Sequence, residues 1–139
     1  MLLHVIARGK IGRSPEADLV RRYEQRVTWP IRFTELPEQG GRTADPATPC
    51  RTVLLDERGE DMGSEDLAAM LSRWRDDGVR EARFMLGAAD GHSPEERAAA
   101  DRLLAFGKAT WPHLMARAML AEQLYRATTI VAGHPYHRA

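Results

Sequence analysis

The stretch Thr52–Gly87, TVLLDERGEDMGSEDLAAMLSRWRDDGVREARFMLG, decides the fold class. It opens on TVLLD at 52–56, a short apolar run that suits a strand covered on both faces, and closes on a second run of the same kind, RFMLG at 83–87. Between them, from about Ser64, the residues Leu67, Met70, Leu71 and Trp74 recur at the i, i+3, i+4, i+7 spacing of one helix face, and Asp77-Gly78 ends the helix. A strand, a helix and a strand of these lengths make a βαβ unit, whose two strands run parallel.

Working outward, LLHVIA near the start reads as another strand, and IRFTEL at 31–36 alternates as an edge strand does. Ser14-Pro15-Glu16 and Ser93-Pro94-Glu95-Glu96 each place serine at a helix N-cap and proline at the first helical position. Glu96 is spaced to complete a capping box. The stretch EQGGRTADPATPC, Glu38 to Cys50, is rich in Gly, Pro and Thr and reads as a loop. With no internal repeat and no low-complexity tract, the expectation is one α/β domain over 1–139 with a mostly parallel sheet.

A chain of 139 residues can bury a core without staples, and Cys50 is its only cysteine, so no intramolecular disulfide forms. No run approaches the roughly 20 apolar residues of a membrane span, and MLLHVIARGK is too short for the apolar centre of a signal peptide. The expected location is the cytoplasm, with no membrane partner. Twenty Lys and Arg balance twenty Asp and Glu, which argues against a binder driven by bulk positive charge. Yet Arg8, Lys10 and Arg13 precede any acid, and Lys108, Arg117, Arg126 and Arg138 near the other end face Glu122 alone. If the two ends share a face, that face is positive.

From Leu114 to about Ile130 the last helix is apolar over an arc of roughly 200°, taken at 100° per residue, more than one face. Such width suggests packing on the chain's own sheet and on a neighbour, and so a homodimer. Arg117 falls inside the arc, where a cation needs a partner. The expectation is an ion pair across the interface, with a substrate contact as the alternative.

Two loops stand where α/β sheets bind ligands, after the carboxyl ends of strands. Gly87-Ala88-Ala89-Asp90-Gly91 follows one strand, with small residues that let a ligand approach the backbone. Leu55-Asp56-Glu57-Arg58-Gly59 ends the preceding one, and Asp56 is either a general base or a cap of its own loop. Neither loop has the spacing of a dinucleotide or phosphate-loop motif. In the tail, Gly133-His134-Pro135-Tyr136-His137-Arg138-Ala139, Pro135 disfavours a helical His134/His137 metal pair and nothing nearby completes a ligand set. Aromatic and arginine side chains there suit an unstacked base and a phosphate.

Taken together, GAADGHSP, TWPH and LAEQLYRATTIVAGHPYHR strongly resemble the bacterial 23S rRNA pseudouridine N3-methyltransferases, a compact branch of the SPOUT methyltransferases. The resemblance covers most of the chain. It implies a C-terminal trefoil knot, a homodimer, no metal, and S-adenosylmethionine held in the knotted loops, with N3 of a pseudouridine in the 23S rRNA of the assembled ribosome as the methyl acceptor. Carried over by position, it implies cofactor contacts at Leu55, Gly87, Ala88, Gly91, Gly107, Lys108, Ala109, Thr110, Trp111 and Pro112. It implies substrate contacts at Tyr136, His137 and Arg138. Arg138 is the expected stabiliser of charge on the base, and His137 the expected proton acceptor or phosphate contact. Three departures from the family pattern stand out: Ala88 in place of a second glycine, Trp111 in place of leucine, and a shorter connection from Glu38 to Arg51. A sibling enzyme acting on another RNA, or a relative that binds RNA without catalysis, would share these features.

Overall fold

Strand β1 (Leu2–Arg8) starts the chain, followed by α1 (Pro15–Arg26), β2 (Ile31–Leu36), β3 (Cys50–Asp61), α2 (Ser64–Asp76), β4 (Glu81–Leu86), α3 (Pro94–Ala99), β5 (Arg102–Ala105) and α4 (His113–Ala132). The structure, a computed structural model, describes residues 1–87 and 91–138. Among them the strands form one sheet in the order β2-β1-β4-β3-β5, and all four pairings are parallel. The strands expected near the start, at 31–36, 52–56 and 83–87 are all present, and IRFTEL lies at the edge. Strand β5 is an addition to the sequence reading.

The helix starts follow from their caps. Ser14 accepts from the Ala17 amide, and Ser93 and Glu96 form a reciprocal capping box. Because parallel neighbours in register share a face, Leu3, Val5, Ala82, Phe84 and Val53 line one side of the sheet. Against that side pack Leu67 and Leu71 of α2 with Leu120 and Leu124 of α4, all at most 2% exposed. Each such side chain contributes about 1.5–3 kcal/mol of burial. Ala118 and Ala121 of α4 meet Val20 of α1. Helix α4 therefore lies between α1 and α2, and its wide apolar arc is largely covered by its own chain. Leu114, Ala116 and Tyr125 of the arc stay half-buried.

Arg117 also differs from expectation. It is 3% exposed, and its pair is intrachain: Nη1 donates to Glu35 at 2.6 Å, and Nη2 reaches the carbonyls of Arg8 and Gly9 at 3.3 and 3.2 Å. Glu35 on the edge strand points to the helix side, so the cation finds its partner before it reaches any interface. Arg126 is likewise paired with Glu122 at 2.8 Å, so two of the four cations near the end of the chain are neutralised locally.

The opposite side of the sheet is polar at its centre and is covered by the loop that follows β2. His4 shares hydrogen bonds with Glu81 at 3.1 Å and Thr34 at 2.7 Å. Glu81 pairs with Arg83 and accepts from the Ala47 amide, and Arg83 reaches Thr43 and the Ala44 carbonyl. The shortened connection is thus tied down by buried charge in place of a helix. Burial lowers the His4 pKa despite the nearby Glu81, whereas Arg83 and His4 hold Glu81 below the usual carboxylate range in spite of its own burial. Among the described residues no helix is long and apolar enough to cross a membrane.

Candidate active site

At the carboxyl edge of the sheet the bulged middle of β3 and the loops after β4 and β5 wall a cavity of about 410 Å³. Beyond Leu55, β3 bulges away from β5 and rejoins it at Glu60 and Asp61, which leaves Asp56–Gly59 as a lip over the opening. Gly59 is required there. A Cβ on it would lie 2.7–2.8 Å from backbone atoms of Leu103 and Leu104, closer than any side chain tolerates. Gly87 plays a similar part across the cavity, since its Cβ would stand 3.1 Å from the Gly91 backbone. Gly107 holds the third loop with φ +82°, a left-handed turn that favours glycine.

Polar contacts between the loops set their spacing. Asp56, 9% exposed, accepts from the Arg58 amide at 2.9 Å and from Arg97 Nε at 2.6 Å. Burial alone would raise its pKa, but these two donors outweigh it and hold the carboxyl below its usual value. Asp56 is therefore committed to its loop, the capping alternative, and is not poised as a base. His92 Nε2 donates to the Leu55 carbonyl at 3.0 Å, which binds the β4 loop to the end of β3. Its Nδ1 has no hydrogen-bond partner among the described residues and lies 3.7 Å from Glu96. Thr110 donates to Glu57 at 2.9 Å, and Trp111 Nε1 donates to the Phe106 carbonyl at 2.8 Å, closing the third loop on itself. A second cavity of about 290 Å³ adjoins the first through Gly87, Gly91 and His92, and Arg8 and Glu96 also line it.

Of the expected cofactor contacts, Leu55, Gly87, Gly91, Gly107, Ala109, Thr110 and Trp111 line the large cavity together. Lys108 is exposed beside it, and Pro112 forms the start of α4. Ala88 lies outside the described residues. Sequence reasoning did not single out His92, Arg97, Phe106 or His113, which also line the cavity. Arg97 was accessible in principle, being one turn beyond the Ser93 cap on the side that faces Asp56.

The tail goes elsewhere. Gly133, with φ +72°, ends α4 in a left-handed cap, and the chain folds back along the helix. Tyr136 donates to Glu122 at 2.6 Å and packs edge-on against Tyr125 at 4.7 Å, while Arg126 lies 4.8 Å over its ring. Burial and the Glu122 carboxylate both push the Tyr136 hydroxyl far up from its ordinary pKa. His137 Nδ1 meets Arg126 at 3.1 Å, His134 Nδ1 accepts from the Tyr136 amide, and Arg138 is exposed. None of these residues lines either cavity at the sheet edge. From His113 at the cavity to Glu122 and Arg126 is roughly 14–20 Å along the helix axis, at 1.5 Å per residue.

All of this geometry except Arg138 lies within one family match, described as "Predicted SPOUT methyltransferase", over residues 1–137. The chain belongs to the SPOUT methyltransferase family. A protein of Erythrobacter litoralis named Ribosomal RNA large subunit methyltransferase H is 74% identical over 139 residues, covering 100% of this chain and 99% of its own. Proteins of the same name from Sphingopyxis alaskensis and Novosphingobium aromaticivorans are each 66% identical and cover 99% of this chain, with 97% and 99% of their own lengths aligned. As a SPOUT methyltransferase the chain needs a methyl donor.

Proposed function

We propose that this SPOUT methyltransferase transfers a methyl group from S-adenosylmethionine to N3 of a pseudouridine in the 23S rRNA of the assembled ribosome, acting as a homodimer in the cytoplasm. The observation that carries the reading is the large cavity at the carboxyl edge of the sheet, built by the three loops that the family resemblance marked for the cofactor. Its size falls within the roughly 300–1,000 Å³ of small-molecule sites. The side-chain-free backbone at Gly107, with open space where a Cβ would stand, suits close approach of a ligand. Leu55, Gly87, Gly91, Ala109, Thr110 and Trp111 would hold the donor. When bound, it supplies an electrophilic methyl carbon, and no metal is called for.

What remains for the protein is position and charge. The acceptor nitrogen has to stand roughly 3–3.5 Å from the carbon it attacks, and the adjoining smaller cavity offers room beside the donor site for a base. As the N3 proton leaves, negative charge spreads over the flanking carbonyls, so a cation there lowers the barrier. Arg138, exposed at the end of the tail, is the candidate cation, and His137 is either the proton acceptor or a phosphate contact. The separation of the tail from the cavity of its own chain supports a second copy delivering Tyr136, His137 and Arg138. The trefoil knot implied by the family belongs to the same reading.

Purified 70S ribosomes with labelled S-adenosylmethionine test it. Label should enter a single 23S rRNA pseudouridine, and Arg138→Ala should abolish transfer with cofactor affinity intact. Label in transfer RNA alone would overturn the assigned target. A strictly monomeric active protein would overturn the dimer.

A further inference from the structure

The chemistry of His137 depends on which ring nitrogen carries the proton, and Arg126 touches the nitrogen that decides it. A guanidinium carries donors only and keeps its proton at any ordinary pH. Its Nη1 lies 3.1 Å from His137 Nδ1, so that nitrogen must be the acceptor, and the proton of the neutral ring sits on Nε2. The guanidinium is itself held in place. Its Nε and Nη2 donate to the two carboxylate oxygens of Glu122 at 3.2 and 2.8 Å, and its plane covers the Tyr136 ring. Tyr136 closes the set by donating to the same carboxylate at 2.6 Å. Two neighbouring tail residues are thus fixed by one i, i+4 pair on α4.

The other edge of the ring shows what it can bind. His137 Nε2 points to the carboxylate of Glu65, 3.5 Å away, on the first turn of α2. Glu65 is largely exposed and free to turn into solvent. An anionic oxygen therefore already occupies the position that a ligand of Nε2–H would take.

We infer that Arg126 is a positioning residue that sets His137 in its Nε2–H tautomer, so that His137 meets the RNA as a hydrogen-bond donor to a phosphate oxygen and not as the acceptor of the N3 proton. This rests on the methyltransferase reading above for the identity of the RNA, but the tautomer itself does not. Glu122 acts one step further back, by orienting Arg126 and Tyr136.

Two measurements on the full-length protein test it. In the first, ring ¹⁵N–¹H NMR of histidine-labelled protein at neutral pH should show the Nε2–H pattern for His137, and Arg126→Met should move it to an average of both tautomers. Nδ1–H in the wild type, or an unchanged pattern in a folded Arg126→Met, would overturn the assignment. Arg126→Lys, which keeps the charge, provides the comparison if the methionine variant does not fold.

In the second, methyl transfer to ribosomes is compared in His137→Gln and His137→Ala. Glutamine keeps an N–H donor near the Nε2 position and cannot take up a proton. The donor role predicts His137→Gln within about tenfold of wild type, and a raised KM for ribosomes in His137→Ala. A base role predicts a loss of roughly 10²–10⁴ in kcat for both, which would sink the proposal. If the wild type methylates no ribosomal RNA, the reading of the target falls, and the NMR result alone decides the role of Arg126.

Discussion

Replacing Gly59 by alanine should disturb both the fold and the cavity, by an amount that follows from one contact. The added methyl would stand 2.7 Å from the Leu103 carbonyl carbon and 2.8 Å from the Leu103 oxygen and the Leu104 nitrogen. Carbon contacts are comfortable at about 3.5 Å, so β3 and β5 have to separate by roughly 0.7–0.8 Å at this point. The obstacle is backbone, which cannot turn aside as a flexible side chain would. Leu104 and Ala105, 2% and 4% exposed, move with β5, and both line the large cavity. Overpacking of this kind costs about 1–3 kcal/mol. For a domain of this size that is roughly 3–12 °C in Tm. Thermal unfolding followed by circular dichroism reads the first effect, and calorimetry with S-adenosylmethionine reads the second, expected as at least a fivefold weaker Kd. Gly63→Ser is the control, because its Cβ would meet only the Asp66 carboxylate at 3.6 Å. A Gly59→Ala protein with the Tm and cofactor affinity of that control would refute the close-approach reasoning.

Trp111→Leu removes the indole that lines the cavity and donates to the Phe106 carbonyl, and it should weaken the cofactor by about 1 kcal/mol, roughly fivefold in Kd by calorimetry, with the fold preserved. Arg117→Met leaves two backbone carbonyls without their donor and Glu35 with the Ile11 amide and solvent, and urea titration should show a loss of about 2 kcal/mol that Arg117→Lys does not restore, since an ammonium cannot span all three acceptors. Acid should unfold the protein in two stages. The folded-state pKa of His4 is lowered, so its contribution is complete above its ordinary value near 6.5 and fades as pH falls below it. Asp56 and Glu81 are lowered too, so theirs is complete above about pH 4 and is lost only below it. Stability measured against pH should flatten in the upper stage for His4→Gln and in the lower stage for Asp56→Asn.

Four strands and the caps of α1 and α3 were legible because apolar runs and Ser-Pro-Glu signals are local. Strand β5 was not, since Arg102–Ala105 is four residues long and follows a run of alanines that continues a helix by propensity; only its pairing with β3 makes it a strand. Strand β3 was read short for a related reason. Its polar second half, past the bulge, is held by β5 and carries no apolar pattern of its own. The width of the α4 arc is legible in the sequence, but angular width does not say whose side chains cover it, and here α1, α2 and the sheet cover most of it and leave Leu114, Ala116 and Tyr125 half-buried. The glycine loops of the cavity announce themselves by composition. The contacts that hold those loops do not, because Arg97 with Asp56 and His92 with Leu55 are separated by 41 and 37 residues. The docking of Tyr136 on Glu122, 14 residues back, is equally silent in one dimension.

Helix α4 begins at the cavity with His113 and carries the anchors of the tail at Glu122 and Arg126, so it works as a gauge between the two. Adding a single residue between them would advance the anchors by about 1.5 Å and swing them through roughly 100°. Adding seven would restore the phase to within about 20° while moving them out by some 10 Å. The number of residues in this segment is therefore under geometric constraint even where their identities are not.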